Sequence, residues 1–152
     1  MMRLYGTSCW RSRGPTASLA SRVHAASLMF RESLAGLRVL VASDDPEVAA
    51  LFMTIVGVCG ASSELAQSAA ATFQALERHP HVLLLDVAMA SGADLIPLQA
   101  EQHKIPVVAF LFRHEDPAGA ASRLRATRAR LLASTDVFQV CGTLQRAVAE
   151  AA

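Results

Sequence analysis

The sequence predicts an α/β fold, a three-layer (βα)5 doubly wound parallel sheet, and three observations carry that prediction. Short aliphatic runs alternate with segments of helical character from about residue 37 to the end of the 152-residue chain, the pattern of a parallel sheet covered by helices. The run His81 to Met89, H-V-L-L-L-D-V-A-M, is apolar almost throughout, as expected of a strand buried on both faces. Hydrophobic residues make up 53% of the chain and aromatic residues only 5%, so the core must be built from Ala, Val and Leu.

The elements follow in order. Residues 1–36 are rich in Arg, Ser and Ala, with Glu32 their only acid, and read as a basic, unstructured extension. A targeting segment or a partner-binding helix are the alternatives, and Met29 is a candidate start. Leu37 to Ser43 is the first strand. Pro46 suits a first helical turn and Asp45 can cap it, so a helix starts here, carries Val48, Leu51, Phe52 and Ile55 inward, and stops near Gly57 to Gly60. Ala61 to Ala66 is a weak second strand, and Ser68 to Arg78 a helix with Phe73 and Leu76 facing the core. It is closed by His79 and Pro80.

The central strand comes next, then a small-residue loop at 90–94 and a short helix from Leu95 to His103, with Pro97 tolerated in its first turn. Ile105 to Phe112, I-P-V-V-A-F-L-F, is the fourth strand. Asp116 and Pro117 restart a helix carrying Leu124. Ala129 to Ser134 is the last strand, and Val137 to Ala151 an amphipathic helix with Phe138, Cys141, Leu144 and Val148 on one face.

Charge and cysteine content narrow the function. The formal net charge of +1 is uneven: residues 1–31 carry five arginines and no acid, leaving −4 for the remainder. A mildly acidic domain argues against direct nucleic-acid binding. No apolar run approaches the roughly 18 residues that cross a bilayer, so the expectation is a soluble, cytoplasmic protein with no membrane contact. Cys9, Cys59 and Cys141 are widely spaced; they indicate neither a zinc site nor a disulfide framework, and a reducing compartment is the simpler reading.

A charge that ends an apolar strand needs a reason, because an unpaired buried carboxylate is costly. Asp86 is therefore expected at the open C-terminal lip of strand 3. With strand order 2-1-3-4-5, ligands bind beyond the strand ends between strands 1 and 3, and Asp44, following strand 1, faces Asp86 there. Two such carboxylates suit Mg²⁺ together with a phosphate. Neither an aspartate-nucleophile D-x-D motif nor a G-x-G-x-x-G turn is present, so an enzyme is not expected.

V-L-V-A-S-D-D-P-E, L-L-L-D-V-A-M and I-P-V-V-A-F together resemble the receiver domain of two-component response regulators over residues 37–152. The resemblance implies a flavodoxin-like fold and a phosphorelay protein whose phosphoacceptor is Asp86. It implies Mg²⁺ bound by Asp44, Asp86 and the backbone carbonyl of Ala88, a sensor histidine kinase or phosphotransfer protein as donor, and a downstream protein partner. With about 36 residues before the domain, a stand-alone receiver is expected. This chain also departs from the family. Ser43 stands where a second acid is usual, Leu111 or Phe112 where a Ser or Thr is usual, and Ser134 where a Lys is usual. Asp45 is left as a helix cap. The only lysine, Lys104, precedes strand 4 at the opposite rim. A phosphorylation-independent pseudo-receiver acting as an interaction adaptor is the alternative. The arginines 123, 125, 128 and 130 form a basic cluster that suits either a solvated face or partner docking.

Overall fold

The structure is a computed structural model, and it describes residues 34–89, 95–111, 117–124 and 127–152. Among the described residues five strands and five helices alternate: β1 (Arg38–Ala42), α1 (Pro46–Val58), β2 (Ser62–Ala66), α2 (Ala69–Leu76), β3 (Val82–Asp86), α3 (Leu95–Gln102), β4 (Val107–Phe110), α4 (Pro117–Leu124), β5 (Arg130–Leu132) and α5 (Val137–Ala151). The strands form one sheet in the order β2-β1-β3-β4-β5, every pairing parallel. The expected order is therefore present, and β3 lies at its centre with all five residues buried.

Strand alternation sorts the core into two layers. Val39 and Val41 of β1 and Leu84 of β3 meet Phe52 and Ile55 of α1 and Leu144 of α5 on one face. Leu40, Leu83 and Leu85 meet Leu76 of α2 and Ile96 of α3 on the other. A smaller group, Val87, Ala109 and Leu124, seats α4. The rings of Phe52 and Phe110 stack with centroids 3.9 Å apart, where aromatic pairing adds to area burial.

Local chemistry sets the helix starts. The Asp45 side chain accepts from the amides of Glu47 and Val48, and Pro46 opens α1. Ser68 accepts from Ala71 at the start of α2, and Asp136 from Phe138 and Gln139 at the start of α5. Gly60, at φ +88, turns the chain out of α1 toward β2, a conformation that glycine adopts without a Cβ penalty. Among the described residues no helix is long and apolar enough to cross a membrane.

Several expectations need correction. Leu34, which the sequence reading assigns to the extension, is fully buried in the core, after which a turn at 34–36 leads into β1. Leu51 and Phe138 are partly exposed, at 36% and 48%. Val56 and Val140 are the inward residues instead, since the apolar stripes are rotated by about one position from the faces read off the sequence. The strand ends are shorter than predicted, as at β5. Cys59 and Cys141 are buried as expected, but they form a disulfide with Cα atoms 6.1 Å apart, within the usual range for such bonds. It ties the C-cap of α1 to the middle of α5, two helices that share one sheet face. Phe112 and Arg125 lie outside the described residues, as do residues 1–33 of the extension.

Candidate functional site

Parallel pairing of β1 with β3 brings the end of one beside the end of the other. Ala42 is in register with Leu85, so the next residues, Ser43 and Asp86, are neighbours by construction. The Ser43 hydroxyl donates to Oδ2 of Asp86 at 2.8 Å, and the backbone amide of Ala88 donates to Oδ1 at 2.9 Å. Ser43 itself is fully buried, and its amide donates to the Ala66 carbonyl at 3.1 Å, extending the β1 to β2 ladder by one bond. Its oxygen also accepts from the Asp45 amide at 3.2 Å. One hydroxyl thus links the strand end, the helix cap and the acid.

Asp86 is only 2% exposed, which corrects the expectation of a carboxylate open to solvent. The strand places it there: Asp86 pairs with Phe110 of β4, and the Val87 amide donates to the Phe110 carbonyl, closing the sheet around it. Burial pushes the Asp86 carboxyl above its ordinary value. The hydrogen bonds from Ser43 and Ala88 act in the opposite direction, and the charges of Asp44 and Asp45 add to the rise.

The remaining candidate residues do different things. Asp44 is exposed at the mouth of the crevice, close enough for its charge to bear on Asp86. Asp45 is the helix cap that the sequence indicated. Leu111 packs beside Val87, Ala109 and Leu124. The Ser134 hydroxyl accepts from the Asp136 amide at 3.0 Å, which supports the start of α5. Among the described residues, only Ser43 and Ala88 donate to the Asp86 carboxyl; the Met89 amide donates to its backbone carbonyl.

Of the residues the resemblance names for Mg²⁺, Asp44 and Ala88 are exposed and Asp86 is buried. That ion demands near-octahedral oxygen coordination and keeps several waters, whereas each Asp86 oxygen already accepts a hydrogen bond and the group is closed to solvent. Among the described residues no three His, Cys, Asp or Glu side chains gather to hold a metal. The arrangement is instead a buried, hydrogen-bonded carboxyl that fixes the end of β3 against the end of β1.

Sequence reasoning set Asp44 opposite Asp86; the register instead brings Ser43, the last residue of the expected first strand, against it. The signal was Ser43 itself, a small donor placed where a second acid would repel Asp86. No local signal marks the disulfide, because its cysteines are 82 residues apart.

Comparisons with known proteins place this architecture. No family model matches the sequence, and no curated protein matches it. Solved structures do. The chain is similar to the receiver domain of a sensor histidine kinase from Pseudomonas aeruginosa, solved with a magnesium ion coordinated in its active-site cleft, at 16% identity and a TM-score of 0.63, covering 76% of this chain and 99% of that one. A receiver domain protein from Clostridium thermocellum matches at 12% identity and 0.65, covering 75% and 95%. A chemotaxis protein from Vibrio cholerae matches at 18% and 0.60, covering 73% and 98%. At such identities the likeness establishes the fold: the chain has the flavodoxin-like fold of receiver domains.

Proposed function

We propose that this chain is a receiver-fold signalling module that works through protein contacts, with Asp86 serving as a structural carboxyl in place of a phosphoacceptor. The observation that carries the reading is the 2.8 Å bond from Ser43 to an Asp86 that is 2% exposed. A nucleophilic carboxylate must meet its donor and remain ionised, and burial here opposes both. A serine at position 43 favours the same outcome, since it supplies a hydrogen-bond donor where a second acid would supply charge. The module turns over no substrate of its own, and its role in two-component signalling is that of an adaptor.

The second reading is a phosphoryl group accepted on Asp86 with output through a partner. It is favoured by the position of Asp86 at the end of β3, with Asp44 at the mouth of the same crevice. For it to operate, Ser43 must release Oδ2 and the strand end must open.

Intact-mass measurement separates the two. Purified protein is incubated with acetyl phosphate and Mg²⁺ beside Asp86→Ala. The adaptor reading expects no adduct that depends on Asp86, and a phosphate adduct present in the parent and absent from the variant would establish the second reading.

A further inference from the structure

The opposite rim of the sheet, below the start of β4 and β5, holds a groove of about 640 Å³. Its charged lining is Glu101 of α3, Lys104 in the turn after it, Arg128 and Arg130 at the start of β5, and Glu150 near the end of α5; Val107 is part of its apolar lining.

The two acids are already engaged. Glu101 Oε1 accepts from the Arg128 amide at 2.8 Å, and Glu150 is ion-paired with Arg130. The side chains of Lys104 and Arg128 have no hydrogen-bond or ion-pair partner among the described residues, and both are exposed. Two cations on two walls of one groove are thus left for something else.

The placement of Lys104 is specific. It closes α3 with a φ of +58, its amide donating to the Glu101 carbonyl and the Ile105 amide to the Ala100 carbonyl, each at 2.9 Å. Glycine or asparagine is the usual occupant of such a position; this chain puts its only lysine there.

We infer that this groove binds an extended acidic segment of a partner protein, its carboxylates meeting Lys104 and Arg128 and its apolar side chains lying between them. The inference rests on reading the chain as an interaction module. Small-molecule sites present convergent, enclosed polar groups, and here both free cations are exposed at an open rim. Such a surface fits a peptide better.

The test uses the full-length protein and a fluorescent synthetic peptide of alternating glutamate and leucine, followed by anisotropy. The same peptide with lysine for glutamate, a single-stranded oligonucleotide and citrate are the comparison arms. The glutamate peptide should bind, protect Lys104 from amine acylation as read by mass, and lose roughly tenfold or more in affinity in Arg128→Glu or Lys104→Glu. Arg128→Gln and Lys104→Gln, which add no new charge, should show the same direction. Glu47→Ala, at an exposed residue in the first turn of α1 at the other rim, should bind as the parent does, and the peptide assay reads a surface separate from the one the phosphorylation assay reads, so the two can fail independently. The inference is overturned if the glutamate peptide does not bind, if the variants bind it unchanged, if Glu47→Ala loses as much as Arg128→Glu, or if the lysine peptide, the oligonucleotide or citrate binds as tightly.

Discussion

Replacing Ser43 by alanine tests the Asp86 site directly. The substitution removes the hydroxyl that donates to Asp86 Oδ2 at 2.8 Å and accepts from the Asp45 amide at 3.2 Å, and it leaves a fully buried methyl beside a carboxyl that is 2% exposed. Where Asp86 is ionised, a hydrogen bond to a charged, buried group is lost, which costs about 1.5 to 3 kcal/mol. The pH dependence follows from the raised carboxyl. The folded state holds the Asp86 proton more tightly than the unfolded chain, whose aspartate titrates near about 3.9. Stability from this group is therefore fully present below that value and is lost as pH rises through the folded-state value. Ser43 opposes the rise, so Ser43→Ala should widen that window upward. Urea unfolding of parent and variant at about pH 4 and pH 8, the lower point near the unfolded aspartate value, should give a larger loss at pH 8. Below that window Asp86 is neutral, and the cost should fall to about 1 kcal/mol, that of an ordinary hydrogen bond. A loss equal at both pH values, or absent at pH 8, would refute the argument that Ser43 supports a buried carboxylate.

Three further outcomes are expected. Asp86→Asn keeps a neutral group of the same shape, and the Ser43 hydroxyl can turn to accept from its amide; at pH 8 its urea midpoint should equal or exceed that of the parent, and the pH slope assigned above to Asp86 should vanish. Reduction of Cys59–Cys141 reopens a loop spanning 82 residues and should cost about 4.5 kcal/mol on chain-entropy grounds, read as a lower urea midpoint in dithiothreitol, with alkylation and intact mass counting the released thiols. Asp45→Ala removes the acceptor for the Glu47 and Val48 amides and should lower stability by about 1 kcal/mol in the same unfolding assay.

Much of this protein is legible in its sequence, and the reason is local. Strand and helix order follow from runs such as Val82 to Leu85 and from caps such as Asp45 and Pro46, whose chemistry reaches only a few residues along the chain. Pro97 in the first turn of α3, and α5 from Val137 to Ala151, were placed correctly on the same grounds. Strand ends and helix faces were less secure. Leu51 and Phe138 carry apolar side chains that the helix rotation turns partly toward solvent, and apolar spacing alone does not distinguish the centre of a stripe from its edge.

The candidate site divides along the same line. Sequence alone marked Asp86 as the acid that ends the central strand, Ser43 as the residue that replaces a usual carboxylate, and Lys104 as a cation at the far rim. Tertiary structure decided what each one does. Register between β1 and β3 converts two strand ends into the Ser43–Asp86 hydrogen bond and closes it from water. Packing of α1 beside α5 brings Cys59 to Cys141, and the bond from the Arg128 amide to Glu101 sets Arg128 and Lys104 in the lining of one groove. These relations join residues tens of positions apart, and their energies depend on burial and distance, which no run of sequence contains.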